Sequence, residues 1–408
     1  VSAFAFDPSE KQLIHLPIFS KIKICYGCLN KNREEFTMHR NEEKRESRTG
    51  KKVSRWIKVP AVILLVLILL AALFKVILFP PYSGLPVTGS YTVETGEFTW
   101  VDESRTETFT DTGENRELTV RFWYPKEEGS YPLVVFSHGA FGIIDSNYST
   151  CMELASNGYV VASIGHPYHA MFVKNVDGRT TYADMDFVKS VFAGSGTYDP
   201  EAERQAYENS LEWMALRTAD ENFVLDTILD KARQGESAPF SLIDPDKIGL
   251  FGHSMGGASS VQLGRERTDI DAVIDLEGTM LGEYTGFENG MEVYNEEPYP
   301  VPVLDVYGTR VLDAASEIAD EILDQFPDWQ YVNFYVGEHA VDYKGVEFHD
   351  AGHMNYTDLP MFSPVLAKLL GVGDVDAETC IENVNKVVLN WFDHYLKGEG
   401  ELDIQSEY

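Results

Sequence analysis

The stretch FGHSMGGAS, residues 251–259, sets Ser254 between two glycines, and Gly252-His253-Ser254-Met255-Gly256 fits G-x-S-x-G. A serine hydroxyl attacks a carbonyl only when a neighbouring base takes its proton. The pattern supplies that chemistry on a sharp strand-to-helix turn, where the hydroxyl stands above the sheet. The flanks agree: "DKIGLF" reads as a strand ending immediately before Gly252, and "MGGASSVQLGRE" as a helix starting after Ser254. Gly252 and Gly256 carry no side chains to collide across the turn, and Gly257 permits close helix packing. The helix N-terminus favours negative charge beside Ser254. A glycine-rich turn without chemistry could carry the same five residues, so the partners must decide.

Acyl transfer needs two N–H donors on the developing oxyanion, each worth about 3 kcal/mol of barrier. "VVFSHGAFG" (134–142) is a strand running into a loop that can aim one such donor, and the amides of Ala140 and Met255 are the candidates. His138 lies in the wrong part of the chain for the base and reads as structural. With the acid and then the histidine following the serine, the bases to weigh are His339, His349, His353 and His394. His394 sits in an amphipathic terminal helix. His353, after Gly352 in "FHDAGHMNYTDLP", follows a late strand and is preferred, with His349 the weaker alternative. For the acid, "AVIDLEGTM" offers Asp275 and Glu277 on one face of a strand end by period two. Glu277, at the tip before Gly278, is preferred over Asp275; a salt-bridged or solvent-facing carboxylate is the plain reading of either.

These groups need a scaffold. Strand-like stretches, several of them unbroken apolar runs bounded by Gly, Pro or charge, fall at 96–101, 117–125, 132–138, 159–166, 247–253, 271–278, 301–308 and 331–336. Helical spacing falls at 147–157, 201–232, 255–266, 311–326 and 378–397. Strands alternating with helices predict an α/β fold: a mostly parallel central sheet with helices on both faces. The interval 167–245 is too long for a simple crossover and is expected to form a helical insertion, either a partial cap over a pocket or ordinary surface helices.

Charge divides the chain. Residues 1–58 carry a net +6, while the remainder carries −38. So acidic a surface excludes a nucleic-acid role. Residues 59–79, "VPAVILLVLILLAALFKVILF", hold one charge, Lys75, and as a helix would reach about 31 Å, enough for a bilayer core. Lys and Arg are concentrated before this span and not after it. The expected topology is therefore a cytoplasmic N-terminus, a retained single-pass anchor and an extracytoplasmic domain from residue 80 to 408. A cleaved signal peptide competes, but the run is long and "KVILFPPYSG" lacks a small-x-small cleavage site. Met38 precedes the basic cluster, and translation is expected to begin there, leaving 1–37 untranslated. Cys25 and Cys28 have C-x-x-C spacing without the second pair a zinc site needs. No metal and no cofactor is called for.

On "RFWYP", "YPLVVFSHG" followed by "LASNGYVVASIGHP", "DKIGLFGHSMGG" and "AGHMNYTDLP", the chain resembles the plasma and bacterial type of platelet-activating-factor acetylhydrolase, a family of α/β-hydrolases, over roughly residues 115–397. The resemblance implies Ser254 as nucleophile, His353 as base, an oxyanion hole from the Ala140 and Met255 amides, and metal-independent hydrolysis of short or oxidised acyl esters. The family's acid is usually Asp after a leucine; here Glu277 follows Leu276, which keeps Asp275 open. The expected activity is a membrane-anchored serine ester hydrolase acting on small or lipid esters. A cutinase-like polyester hydrolase, an acyltransferase of the same fold and a catalytically silent surface binding module are the competing readings.

Overall fold

The computed structural model describes residues 45–82, 84–193, 200–308 and 331–408. Helix α1 (Arg45–Leu78) contains the apolar stretch, and its Val59–Leu78 part is long and apolar enough to cross a membrane, with none of it buried against protein. From Leu78 onward the chain forms a separate compact unit.

That unit is built on an eight-stranded sheet. Its strands are β1 (Val93–Thr106), β2 (Asn115–Pro125), β3 (Tyr131–Ser137), β4 (Val160–Gly165), β7 (Ile243–His253), β8 (Ala272–Leu276), β11 (Val303–Gly308) and β12 (Tyr343–Phe348). The spatial order is β1-β2-β4-β3-β7-β8-β11-β12. Pairing is antiparallel at β1–β2 and β2–β4 and parallel from there on. The central strands read as unbroken apolar runs because both faces are covered. Leu133 and Val135 point into one core with Leu250 and Val273, while Val134 and Phe136 point into the other with Phe251 and Ile274. Each such side chain, fully buried, contributes roughly 1.5–3 kcal/mol.

Helices α2 (Tyr148–Ser156) and α7 (Ala377–Phe392) cover one face through Leu154, Val384, Val388 and Trp391. Helices α4 (Pro200–Arg233) and α5 (Met255–Glu266) cover the other through Val224, Leu225, Ile228 and Val261. The doubly covered, mostly parallel sheet is the one predicted. The 167–245 interval differs from a purely peripheral segment: the second half of α4 lies in the core. The rest of that interval includes a two-stranded hairpin, β5 (Phe172–Lys174) with β6 (Thr180–Tyr182), and helix α3 (Met185–Phe192).

Two further differences stand out. Residues 331–336, predicted as a strand, lie in helix α6 (Tyr331–His339), which buries Val332, Asn333 and Val336 at helical spacing. A second hairpin, β9 (Tyr284–Glu288) with β10 (Met291–Tyr294), was not foreseen. The predicted helix at 311–326, Met38 and Cys25-Cys28 fall outside the described residues. Cys151 and Cys380 are buried free thiols, each raised in pKa by burial.

Candidate active site

Ser254 occupies the turn between β7 and α5 with φ 55° and ψ −124°. A non-glycine residue rarely adopts such a backbone, which costs roughly 1–3 kcal/mol and persists only where its surroundings impose it. Here they do. Ser254 N donates to Leu276 O at 2.9 Å, and Ser254 O accepts from Ala258 N to start the helix. The flanking glycines are sterically required: a Cβ on Gly252 would lie 2.2 Å from the Gly256 carbonyl, and one on Gly256 would lie 2.0 Å from Ser137 O. The same closeness brings the end of β3 against the start of α5.

The loop after β3 therefore arrives at the serine. A Cβ on Gly139 would sit 3.1 Å from Ser254 Cβ. Phe141, with φ 60°, donates from N to His169 O at 2.9 Å, and Gly142 N donates to Gly139 O at 3.0 Å. Among the described residues the Ala140 amide has no acceptor. Met255 heads the first turn of α5, where N–H groups have no intrahelical partner. His138 is fully buried, with Nδ1–H donating to Gly139 O at 2.7 Å and Nε2 accepting from His166 N. It is a loop-shaping residue, as expected.

His353 opens a 3-10 turn (His353–Tyr356) after β12 and is half-buried. Asn355 Oδ1 accepts from the amides of Gly352 (2.9 Å) and Gly373 (2.7 Å), and Met354 N donates to Gly371 O. His253, beside the serine, donates from Nε2 to His353 O at 2.9 Å, and the two rings lie 4.7 Å apart. Burial and then the neighbouring His253 hold His353 well below its ordinary pKa, so the ring is neutral near pH 7. Its ring makes no hydrogen bond to Ser254 or Glu277 in this structure; such contacts are often long before substrate binds. His349 stands elsewhere: it is exposed, pairs with Glu347 and Glu407 at 3.3 Å each, and joins the C-terminal tail. His339 is exposed as well, and His394 is half-buried in the turn after α7.

The two acid candidates separate sharply. Glu277 has φ 55° just beyond β8; its N donates to Val306 O at 2.7 Å, and Oε2 accepts from Gly308 N at 2.6 Å. It is half-buried at the sheet's C-terminal edge. Asp275 is fully buried beneath the turn, where its Oδ1 fills the space that a Cβ on Gly257 or Gly278 would need. Its Oδ2 accepts from Asn333 Nδ2 at 3.4 Å.

Sequence reading missed the ionic layer under the loop after β3. Arg217, Asp220 and Glu221 of α4 are all fully buried. Arg217 donates from Nη1 to His138 O (2.9 Å), from Nη2 to Gly139 O (3.3 Å) and from Nε to His169 Nδ1 (3.3 Å). Asp220 accepts from Arg116 and His166. Burial would raise its carboxyl, but Arg116 and His166 overrule this and hold it well below the usual range. Glu221 accepts from Ser259 and Ser260, yet burial pushes it up to about 7. A signal existed: positions 217, 220 and 221 continue the stripe 224, 225 and 228, so charges stand on the helix face that is otherwise apolar.

An apolar wall adjoins the candidate oxyanion donors. Phe187, Met214, Met255 and Ala258 are packed with Ala140, Phe141, Trp213 and Leu281. Among the described residues no cluster suits a metal ion.

A family profile described as platelet-activating factor acetylhydrolase, isoform II, matches residues 102–182. Platelet-activating factor acetylhydrolase of Bos taurus is 24% identical over 67% of this chain and 59% of its own length, and that of Canis lupus familiaris is 25% identical over the same shares. The chain thus spans about three fifths of the curated relatives it matches. A bis(hydroxyethyl) terephthalate hydrolase of Streptomyces coelicolor is 27% identical over 37% of the chain and 48% of its own. Among solved structures, a ferulic acid esterase from Streptomyces cinnamoneus superposes with a TM-score of 0.56 at 24% identity, covering 79% of this chain and 97% of that one, a likeness of fold. The chain is thus similar to the platelet-activating factor acetylhydrolases, by the family profile over residues 102–182 and at 24–25% identity over two thirds of its length.

Proposed function

We propose that this chain is a membrane-anchored serine ester hydrolase. The observation that carries the reading is Ser254, held at φ 55° between a central strand and a helix N-terminus, with the Gly139 loop against its Cβ. Ser254 Oγ attacks the ester carbonyl while His353 takes its proton. Glu277 orients the imidazole and stabilises its charge. The amides of Ala140 and Met255 receive the oxyanion, and His353 returns the proton to the leaving alcohol. Water, activated by the same base, then releases the acyl group from Ser254. Neutral His353 is the form that this cycle requires.

Helix α1 serves as a retained single-pass anchor with the catalytic domain outside the cell, a topology supported by the basic residues before the span. The β5–β6 hairpin and α3, which expose Phe172, Tyr182, Met185 and Phe192, serve as a partial cap. Short acyl or lipid-like esters are the substrates that the family resemblance and the apolar wall support. Flat aryl esters are a second reading, favoured by the stacked Phe141 and Phe192 rings and the edge-on Phe187–Trp213 pair.

The full chain in detergent, assayed on p-nitrophenyl esters of increasing length and on bis(hydroxyethyl) terephthalate, is expected to turn over short acyl esters fastest. Ser254→Ala is expected to abolish turnover. Absence of turnover across the series contradicts the reading.

A further inference from the structure

The peptide joining Gly139 to Ala140 is gripped at its oxygen. Gly139 O accepts from three donors: His138 Nδ1 at 2.7 Å, Gly142 N at 3.0 Å and Arg217 Nη2 at 3.3 Å. The peptide is planar and trans, so its N–H points opposite to its C=O. Fixing the carbonyl therefore fixes where the Ala140 N–H points, and the close approach of Gly139 to Ser254 Cβ puts this peptide beside the nucleophile. Arg217 grips the preceding peptide through His138 O at 2.9 Å. Beyond Ala140, His169 joins the same grip: its Nδ1 accepts from Arg217 Nε, and its backbone O accepts from Phe141 N.

We infer that Arg217 is a positioning residue for the oxyanion hole, acting through the Gly139–Ala140 peptide. The assignment rests on the serine ester hydrolase reading. Two effects arise from one contact. The planar fork holds the donor in place, because Arg spreads its N–H groups over several acceptors at once. Its charge also withdraws electron density from Gly139 O, and a polarised carbonyl makes its own amide N–H a better donor. That N–H is asked for most when negative charge develops in the transition state, so the benefit falls on the transition state rather than on substrate binding. Arg217 reaches no substrate: it is fully buried on the far side of the loop. The carboxylates one turn on, Asp220 and Glu221, account for its toleration there. Burial of so costly a group needs a reason that packing alone does not give, since a well-packed apolar residue is often at least as stabilising.

The test compares wild type, Arg217→Met and Arg217→Lys in the full chain. The readouts are kcat and KM on a short p-nitrophenyl ester and the affinity of a trifluoromethyl ketone, whose adduct with Ser254 carries an oxyanion. Arg217→Met is expected to lower kcat about 10- to 100-fold with KM within about twofold, and to weaken the ketone in proportion. Arg217→Lys, keeping charge but losing the fork, is expected to fall between. A variant that is folded and slower, yet binds the ketone like wild type, overturns the assignment. Should Arg217→Met fail to fold, Arg217→Lys decides by the same comparison, and failure of both to fold assigns Arg217 to general stability and overturns it too. A wild-type chain that neither turns over esters nor binds the ketone fails the hydrolase reading and takes this assignment with it. An active wild type with unchanged ketone affinity in both variants overturns this assignment alone.

Discussion

His253 Nε2 donates to the backbone carbonyl of His353 at 2.9 Å, so the residue before the candidate nucleophile holds the loop bearing the candidate base. A carbonyl only accepts, which puts the proton on Nε2. Burial pulls His253 down to about 4, so the ring stays neutral across the physiological range and keeps that tautomer. The arrangement ties two positions a hundred residues apart in sequence directly beside Ser254.

His253→Ala removes this strap without touching Ser254 or His353. The loop should loosen and the base should spend less time in reach. We expect kcat to fall about 10- to 100-fold, with KM little changed and the melting temperature lowered by a few degrees. Steady-state kinetics beside a thermal melt check it; a folded variant with wild-type kcat contradicts the role.

Glu277 and Asp275 make opposite predictions. Glu277→Gln keeps shape and loses the charge that steadies the imidazolium, so kcat should drop by about 10²- to 10⁴-fold at little cost in stability. Asp275→Asn disturbs a carboxylate packed under the turn and bonded to Asn333; it should cost about 1–3 kcal/mol of stability while the folded fraction stays active. Urea melts and kcat for both variants decide. The reverse pattern moves the acid role to Asp275.

Stability should fall on the acid side of neutrality. Burial lowers His138, His166 (to about 3), His169, His253 (to about 4) and His353 below the ordinary histidine value. Each unfolded histidine binds a proton near pH 6.5 that the folded form refuses. Stability from these groups is present above that pH and is lost as pH falls towards the folded values. Buried carboxyls held high work the other way: the contributions of Glu221, raised to about 7, and Asp358, raised to about 6, fade as pH rises towards those values, but these two are outnumbered by the five histidines. Thermal melts of the catalytic unit at pH 7 and pH 5 should show a clearly lower midpoint at pH 5. An equal or higher midpoint at pH 5 contradicts the buried neutral histidines.

The sheet was legible because central parallel strands write themselves as unbroken apolar runs, and the serine turn because its glycines are demanded by contacts of 2.0–2.2 Å. "YVNFYV" was misread for a physical reason. Its aromatic and β-branched residues suit a strand, yet Val332, Asn333 and Val336 satisfy one helix face, and Asn333 spends its amide on Gly278 O and Met280 N. Of the candidate site, Ser254, Glu277 and His353 can be proposed from motif and chain order. The group behind them is not. Arg217, Asp220 and Glu221 read as surface charges until the stripe they share with Val224, Leu225 and Ile228 is drawn, and nothing local says that two histidine rings and two carbonyls wait to receive them.

The central claim is that Ser254 is an activated nucleophile. Treating the full chain with a fluorophosphonate and mapping the adduct by mass spectrometry tests it most directly, with Ser254→Ala and His353→Ala alongside. The account predicts one stoichiometric adduct on Ser254 in wild type, none in Ser254→Ala and a rate at least about a hundredfold slower in His353→Ala. A folded wild-type chain left unlabelled, or labelled equally fast without His353, would contradict it.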